Sequence, residues 1–139
     1  MQTMYTANAR VEGGRAGKGR TNDGRLEVGL STPKTLGGDD GPGTNPEQLF
    51  AVGYASCFES ALRLVARGQK IALPAGSGIE SSVALQKEDS GAFRLGVELK
   101  GIFPGLPRDQ GEKLMRDAHQ VCPYSTATRG NIDVKLSVG

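Results

Sequence analysis

The chain has 139 residues, the size of one domain, and we expect a single domain over residues 1–139. Its 17 Lys and Arg nearly balance its 15 Asp and Glu, so a net charge of +2 argues against nucleic acid or an acidic membrane surface as a partner. The 21 glycines follow no Gly-X-Y period, which excludes collagen. The sequence shows neither a run of roughly 20 apolar residues nor an apolar N-terminal block, which predicts a cytoplasmic protein without a membrane span.

Alternating side chains predict a small antiparallel sheet in the N-terminal part of the chain. The segment from Met4 to Val11 alternates with period two, as a half-buried strand requires. The segment from Leu26 to Leu30 does the same after Asn22-Asp23-Gly24, which is a turn signal of β-hairpins. The segment from Ser31 to Thr44 has no periodicity and predicts a long loop, of a length often associated with function.

A long helix is predicted to begin at Asn45 and to end at Gly68. Asn45 suits the N-cap, Pro46 suits the first helical position, and Gln48 is placed to complete a capping box. Glycine is a common residue at helix ends. Apolar residues lie nearly all round this helix, which predicts either a central buried helix or one buried in a subunit interface. Cys57 lies in its middle.

The C-terminal half predicts a hairpin, a helix and a last strand. The segments Ile79 to Leu85 and Phe93 to Leu99 alternate with period two on either side of a polar turn. A helix follows to about Val121, is ended by Pro123, and precedes a strand from Ile132 to Val138. This order predicts an α+β fold in which antiparallel sheets wrap around the central buried helix.

Two further motifs resemble parts of ligand-binding sites, a phosphate loop and a metal site, but each is incomplete. Gly17-Lys18 resembles part of a phosphate loop, but Gly19 stands where that motif needs Ser or Thr, and a strand is predicted next. His119 and Cys122 have a helical spacing that could seat two metal ligands. A structural zinc site needs four ligands, and Cys57 is the only other soft one. We therefore expect no metal site and a partly exposed His119 without special function.

The two cysteines differ in their expected surroundings. Both could be small core side chains, and a separation of 65 residues in a reducing cytosol argues against a structural disulfide. Burial in an apolar helix would raise the pKa of Cys57, which would then need a nearby Arg or Lys to ionise. Cys122 lies at a predicted helix C-terminus, where the helix dipole disfavours a thiolate, so it suits the role of a resolving thiol.

Several segments together resemble the organic hydroperoxide resistance proteins of the Ohr/OsmC family. The resemblance covers almost the whole chain and rests on Leu30-Ser31-Thr32-Pro33-Lys34, Gly43 to Ala51, Gly53 to Phe58, Val121 to Ser125, and Ala127 to Val134. The C-terminal run favours the organic hydroperoxide branch over the osmotically induced branch. The resemblance implies an antioxidant thiol peroxidase of the oxidative stress response that acts as an intertwined homodimer and is re-reduced by dihydrolipoyl groups.

Carried over residue by residue, the resemblance implies that Cys57 is the peroxidatic cysteine and Cys122 the resolving one. It also implies that Arg15 is the active-site arginine and that Glu47 holds it. We therefore expect reduction of organic hydroperoxides to alcohols through a Cys57 sulfenic acid and a Cys57–Cys122 disulfide. A lipoylated carrier protein would be the dithiol reductant, with no bound cofactor. The alternative is a non-catalytic redox-sensing or small-molecule binding domain that uses the same cysteine pair.

Helix geometry adds a constraint on these four residues. In an unbroken helix, the ten residues from Glu47 to Cys57 span about 15 Å. One arginine cannot readily contact both of them within one chain. Either the helix breaks near Gly53, or Glu47 reaches Cys57 of the partner subunit across a symmetric pair of antiparallel helices.

Overall fold

A computed structural model describes residues 1–139, which divide into two units, residues 1–49 and residues 50–139. The boundary falls inside the long helix, and the order of elements confirms the predicted α+β class. The strands and helices are β1 (Ala9–Glu12), β2 (Lys18–Thr21), β3 (Glu27–Gly29), α1 (Pro46–Gly68), β4 (Gly78–Lys87), β5 (Phe93–Ile102), α2 (Arg108–Val121), α3 (Pro123–Thr128) and β6 (Val134–Val138).

The first unit contains a three-stranded antiparallel sheet in the order β1-β2-β3. Its first strand is shorter than the sequence pattern predicts, because β1 covers only Ala9–Glu12 and residues 1–8 form no strand. The reason lies in the neighbouring strand: β2 ends at Thr21, opposite Ala9, and beyond it the pairing continues only through one hydrogen bond, from Asn22 N–H to the Asn8 carbonyl at 3.1 Å. Alternation by itself therefore overestimated the length of this strand.

The long loop after β3 is closed at its base by backbone hydrogen bonds. Ser31 N–H donates to the Thr44 carbonyl at 2.9 Å, and Thr44 N–H donates to the Gly29 carbonyl at 2.9 Å. A single 3₁₀ turn at Lys34–Leu36 is the regular structure within it. The predicted loop is confirmed.

The long helix α1 begins and ends where the sequence predicts. Gln48 N–H donates to Asn45 Oδ1 at 2.9 Å, so Asn45 is the N-cap. The capping box is incomplete, because Gln48 Oε1 accepts from Thr44 Oγ1 at 2.7 Å. The helix is continuous over Pro46–Gly68, so the alternative of a break near Gly53 is wrong.

One face of α1 is buried and the other is exposed in the single chain. The buried residues are Tyr54, Phe58, Ala61, Leu62 and Ala66. On the remaining surface, Val52 is 71% exposed and Leu64 is 57% exposed. Contrary to the sequence expectation, α1 is long and apolar enough to cross a membrane by length and composition alone, a property that core helices of soluble proteins share. The prediction of a buried helix holds for one face only.

The second unit contains a sheet in the order β4-β5-β6. The hairpin of β4 and β5 is antiparallel, as predicted, but β6 lies parallel to β5, with Val134 opposite Val97. The sheet is therefore mixed, whereas the sequence predicted antiparallel strands only. Parallel neighbours need a long crossover connection, and α2 and α3 supply it between β5 and β6.

Pro123 ends α2 but does not end the helical segment. It is the first residue of α3, a position that suits proline because its missing N–H would have no partner there. Cys122 lies between the two helices in an extended conformation, with φ −64° and ψ 124°. Cys122 and Pro123 together form what we call the α2–α3 corner. The corner belongs to the core, since Cys122 is 0% exposed.

Candidate active site

Arg15 and Glu47 form a bidentate ion pair in the first unit. Arg15 Nη1 donates to Glu47 Oε2 at 2.8 Å, and Arg15 Nη2 donates to Glu47 Oε1 at 2.6 Å. Two parallel bonds of this kind hold the plane of the guanidinium as well as its charge. The two residues that the resemblance pairs are therefore in direct contact.

The local backbone places both members of this pair. Gly13 and Gly14 have φ values of 79° and 57°, which residues with a Cβ rarely adopt, and they lead into a 3₁₀ turn that carries Arg15. Thr32 Oγ1 donates to the Arg15 carbonyl at 3.4 Å and ties this turn to the long loop. Glu47 lies in the first turn of α1, where the helix dipole favours a carboxylate.

Each member of the pair stabilises the charged form of the other. Hydrogen bonds from Arg15 lower the pKa of Glu47, although burial acts in the opposite direction. The hydrogen bond to Glu47 raises the pKa of Arg15. The Glu47 side chain is 15% exposed and that of Arg15 is 37% exposed. The guanidinium is therefore a permanent cation with N–H donors still available to a third group.

Cys57 and Cys122 face each other in the second unit. Their Sγ atoms are 3.5 Å apart, and both thiols are free. Bonded sulfurs are about 2.05 Å apart, so a disulfide requires an approach of roughly 1.5 Å. Cys57 comes from the middle of α1 and is partly exposed, whereas Cys122 comes from the α2–α3 corner and is fully buried.

A groove of about 630 Å³ opens beside Cys57. Its lining residues besides Cys57 are Glu59, Ser60, Ala61, Arg63, Leu64, Arg67, Val121 and Pro123. The sequence predicts that Cys57 lies in an apolar pocket flanked by Ala61, Tyr54 and Phe58; Ala61 does line the groove, but Tyr54 and Phe58 do not. These two side chains instead project from α1 into the core and are 0% exposed, so the apolar part of the groove comes from Ala61, Leu64, Val121 and Pro123.

Burial raises the pKa of the Cys57 thiol above its ordinary value. The backbone N–H of Tyr124 acts in the opposite direction because it hydrogen-bonds to the sulfur, and neighbouring Cys122 raises the pKa further. No cation is among the groups that shift this pKa, so these surroundings favour the neutral thiol. A thiolate there needs a cation, as the sequence predicts.

Gly53 permits α3 to approach α1 closely at this point. A Cβ at Gly53 would lie 3.1 Å from the Tyr124 hydroxyl oxygen and 3.4 Å from Cε2 of the same ring. Gly53 is one turn before Cys57 on α1, and Tyr124 follows the α2–α3 corner directly. The glycine thus makes room for the contact that brings the corner to the middle of α1.

A buried group of hydroxyls, which the sequence did not predict, lies beside the two cysteines. The Tyr54 hydroxyl is 2.8 Å from Ser125 Oγ and 2.9 Å from Thr128 Oγ1. Ser125 Oγ is also 2.8 Å from His119 Nδ1, so the imidazole of His119 has a hydrogen-bond partner, which the sequence did not predict. The equal spacing of His119 and Ser125 on either side of Cys122 is visible in the sequence, but the link to Tyr54 is visible only in the fold.

The structure thus brings the four predicted site residues together as two pairs. Arg15 and Glu47 form one pair, in the first unit, and Cys57 and Cys122 form the other, in the second unit. The first pair offers an oriented cation and the second a dithiol ready to become a disulfide.

Comparisons with known proteins identify the family of this chain. A family model described as OsmC-like protein matches residues 37–137. The organic hydroperoxide resistance protein of Xanthomonas axonopodis pv. citri is 49% identical over 137 residues, which cover 99% of this chain and 96% of that protein. Organic hydroperoxide resistance protein OhrB of Bacillus subtilis is 45% identical over 136 residues, covering 97% of this chain and 98% of that protein.

Solved structures agree with this family. A crystal structure of an organic hydroperoxide resistance protein from Legionella pneumophila matches with a TM-score of 0.92 and 50% identity, covering 99% of each chain. The crystal structure of OhrB of Bacillus subtilis matches with a TM-score of 0.89 and 44% identity, covering 99% of this chain and 100% of that one. The chain therefore belongs to the OsmC-like family and, within it, to the organic hydroperoxide resistance proteins.

Proposed function

We propose that this protein is a cysteine-based peroxidase that reduces organic hydroperoxides to alcohols. The observation that carries the proposal is the 3.5 Å separation of the Cys57 and Cys122 sulfurs, one of which borders a groove while the other is buried. The apolar part of that groove suits an alkyl group, whose burial contributes about 0.8 kcal/mol per CH₂. The names of the relatives support hydroperoxides as the substrate class.

Cys57 attacks first because its sulfur is the one that borders the groove. Its thiolate attacks the distal oxygen of the hydroperoxide, so an S–O bond forms while the O–O bond breaks. The alkoxide leaves, takes up a proton and becomes the alcohol, and Cys57 becomes a sulfenic acid. Cys122 then attacks the Cys57 sulfur, an S–S bond forms, and the hydroxyl group leaves as water with the proton of Cys122.

Arg63 and Arg67 line the groove, but no cation lowers the pKa of Cys57 in the single chain, so Arg15 supplies the positive charge that the thiolate needs. One side of the guanidinium faces Glu47, and its other donors serve the sulfur and the peroxide oxygens. Because α1 is continuous, about 15 Å of helix separates Glu47 from Cys57 of the same chain. We therefore assign Arg15 and Glu47 of one subunit to Cys57 of the partner subunit, in a symmetric homodimer.

The cycle closes when a dithiol reduces the Cys57–Cys122 disulfide. The dithiol attacks one sulfur of the disulfide, forms a mixed disulfide, and then leaves as its own cyclic disulfide, so both cysteines return to thiols. By resemblance to the family, this reductant is a dihydrolipoyl group on a carrier protein. All electrons pass through sulfur, so the cycle uses no bound cofactor, and a reducing cytoplasm is the compartment that suits it.

Cysteine substitutions test this function directly. Cys57→Ser is expected to abolish the consumption of tert-butyl hydroperoxide, whereas Cys122→Ser consumes a single equivalent and then stalls or oxidises to the sulfinic acid. The measurement is hydroperoxide loss with dihydrolipoamide as reductant. Wild-type protein that is oxidised once and never recycled would identify a redox sensor or binding domain instead. Loss of the first oxidation in Cys122→Ser but not in Cys57→Ser would exchange the two roles.

A further inference from the structure

We infer that a one-directional chain of hydrogen bonds at the α2–α3 corner positions Cys122 for its attack on oxidised Cys57. The members of this chain are His119, Ser125, Tyr54 and Thr128. The inference rests on the proposed peroxidase function and concerns its second step, disulfide formation. These four side chains are positioning residues, because they act through the placement of Cys122.

The chain connects the three helices that carry or flank the two cysteines. His119 is on α2, one turn before Cys122, and Ser125 is on α3, one turn after it. Their 2.8 Å contact therefore closes the α2–α3 corner around Cys122. Tyr54 is on α1, one turn before Cys57, and its contact with Ser125 ties the corner to the helix that carries the other sulfur.

The direction of the chain follows from counting protons. Each hydroxyl group has a single proton to donate. Thr128 Oγ1 donates its proton to the Ser125 carbonyl at 3.3 Å, so it accepts from the Tyr54 hydroxyl. Tyr54 has then used its proton and accepts from Ser125 Oγ, and Ser125 in turn accepts from His119.

This order specifies the form of His119. Its Nδ1 must carry a proton, because it is the first donor of the chain. Burial lowers the pKa of His119, and the charge of Arg129 lowers it further, so the ring is neutral at pH 7. A neutral ring has one N–H, which leaves Nε2 without a proton. The structure therefore assigns the Nδ1–H tautomer to His119.

The chain matters for the reaction because the two sulfurs must still approach each other. They are 3.5 Å apart as thiols and must come to about 2.05 Å to bond. The sulfenic acid also reacts with a second hydroperoxide, which gives a sulfinic acid that Cys122 cannot reduce. A displaced α2–α3 corner slows the attack by Cys122 and so favours this side reaction. The rate of the first oxidation of Cys57 does not change.

Separate rates for the two oxidation steps test the inference. In Ser125→Ala and Tyr54→Phe, we expect the first oxidation of Cys57 to stay within about twofold of wild type. Disulfide formation is expected to slow by roughly tenfold or more, with a matching rise in sulfinic acid, since small misplacements are costly in rate. Rapid quenching with a thiol trap, followed by mass spectrometry, measures both. Ser81→Ala is the matched control, because the buried Ser81 hydroxyl has no hydrogen-bond partner.

The tautomer and a conservative substitution give two further readouts. His119 is the single histidine of the chain, so its ring ¹⁵N resonances need no assignment and report Nδ1–H directly. His119→Asn keeps an N–H donor near the position of Nδ1 and is expected to restore fast disulfide formation, whereas His119→Leu does not. A merely structural side chain would produce neither the Nδ1–H signature nor this rescue.

The outcomes separate this inference from the proposed function. Unchanged disulfide formation in Ser125→Ala, equal slowing of both steps, or a proton on Nε2 in place of Nδ1 would each overturn the inference alone. Failure of the wild-type protein to form any Cys57–Cys122 disulfide after one equivalent of hydroperoxide would refute the proposed function, and the inference with it.

Discussion

Arg15 has two separable effects on Cys57 in the proposed reaction. The first is ionisation: a thiol with an ordinary pKa of about 8.5 is only a few per cent thiolate at pH 7, so full ionisation increases the rate roughly 30-fold. Burial raises the pKa of Cys57, which makes this gain larger. The second effect is orientation of the peroxide and stabilisation of the departing alkoxide, which does not depend on pH.

Arg15→Ala separates these two effects through its pH dependence. Without the cation, Cys57 ionises only above its raised pKa, so the single-turnover rate of the variant should climb with pH and its midpoint should lie at higher pH than in wild type. On the alkaline plateau, a deficit of roughly 10²-fold should persist, as for the loss of other preorganised donors. Full recovery on that plateau would reduce Arg15 to a charge that lowers the Cys57 pKa.

Glu47→Gln is the matched variant, because it keeps the guanidinium and removes only the charged partner. It should lose less activity than Arg15→Ala. Folding lowers the pKa of Glu47. The ion pair therefore stabilises the folded protein fully above the ordinary carboxyl pKa of about 4.3. This stabilisation is lost only as pH falls through the lower pKa of the folded state. A decline in rate that begins well above the carboxyl range as pH falls therefore reports the protonation of Cys57, not of Glu47.

At the scale of elements, the first turn of α1 depends on its cap. Asn45→Ala leaves the Gln48 N–H without its acceptor and should lower the free energy of unfolding by about 1 kcal/mol. Urea unfolding measures the loss. Asn45→Ser keeps a capping oxygen and should stay close to wild type. An equal loss in the two variants would show that packing, and not the cap, determines the stability of this turn.

The α2–α3 corner and the last strand show where local patterns stop being informative. Proline both ends one helix and starts the next, so Pro123 alone could not tell whether α3 exists. Likewise, period-two alternation in Val134–Val138 predicts a strand but not its direction. The crossover through α2 and α3 makes β6 parallel to β5, and no residue within β6 encodes that choice.

At the scale of the whole molecule, the exposed face of α1 supports the proposed homodimer. Val52 and Leu64 are 71% and 57% exposed in the single chain, an arrangement that a second copy would cover. A continuous α1 also separates Glu47 from Cys57 along its length, so each active site would take residues from two subunits.

Mixed dimers test this arrangement. A dimer of one Arg15→Ala subunit and one Cys57→Ser subunit contains one complete site only if Arg15 acts on Cys57 of the partner subunit. Each such mixed dimer should have about half of the wild-type activity. When equal amounts of the two inactive variants are unfolded and refolded together, about half of the dimers are mixed, so we expect hydroperoxide turnover of about a quarter of wild type.

A matched control places both substitutions in one subunit, so the mixed dimers are expected to be inactive where the first mixed dimers are active. The double variant Arg15→Ala/Cys57→Ser, mixed with wild type, gives mixed dimers in which a shared site is never complete. These dimers should be inactive if Arg15 acts across the interface and half active if it acts within one chain. Activity in the control dimers, with none in the first mixture, would contradict the shared site.

The sequence by itself determined the features whose causes are local. Both ends of α1 were predicted correctly because the cap at Asn45 and the stop at Gly68 act within a few residues of the chain. The hairpin of β4 and β5 was predicted for the same reason, since its two strands are neighbours in sequence. The family was recognisable from short runs of residues around Cys57 and Cys122.

Only the tertiary structure decided which distant residues meet. The sulfur contact joins Cys57 and Cys122 across 65 residues, and the contact of Tyr54 with Ser125 joins positions 71 residues apart. The short length of β1 was likewise missed, because it depends on which backbone neighbours are present. Periodicity and capping describe a segment and its immediate surroundings, whereas strand direction and the contacts between distant side chains arise from the packing of segments that are far apart in the chain.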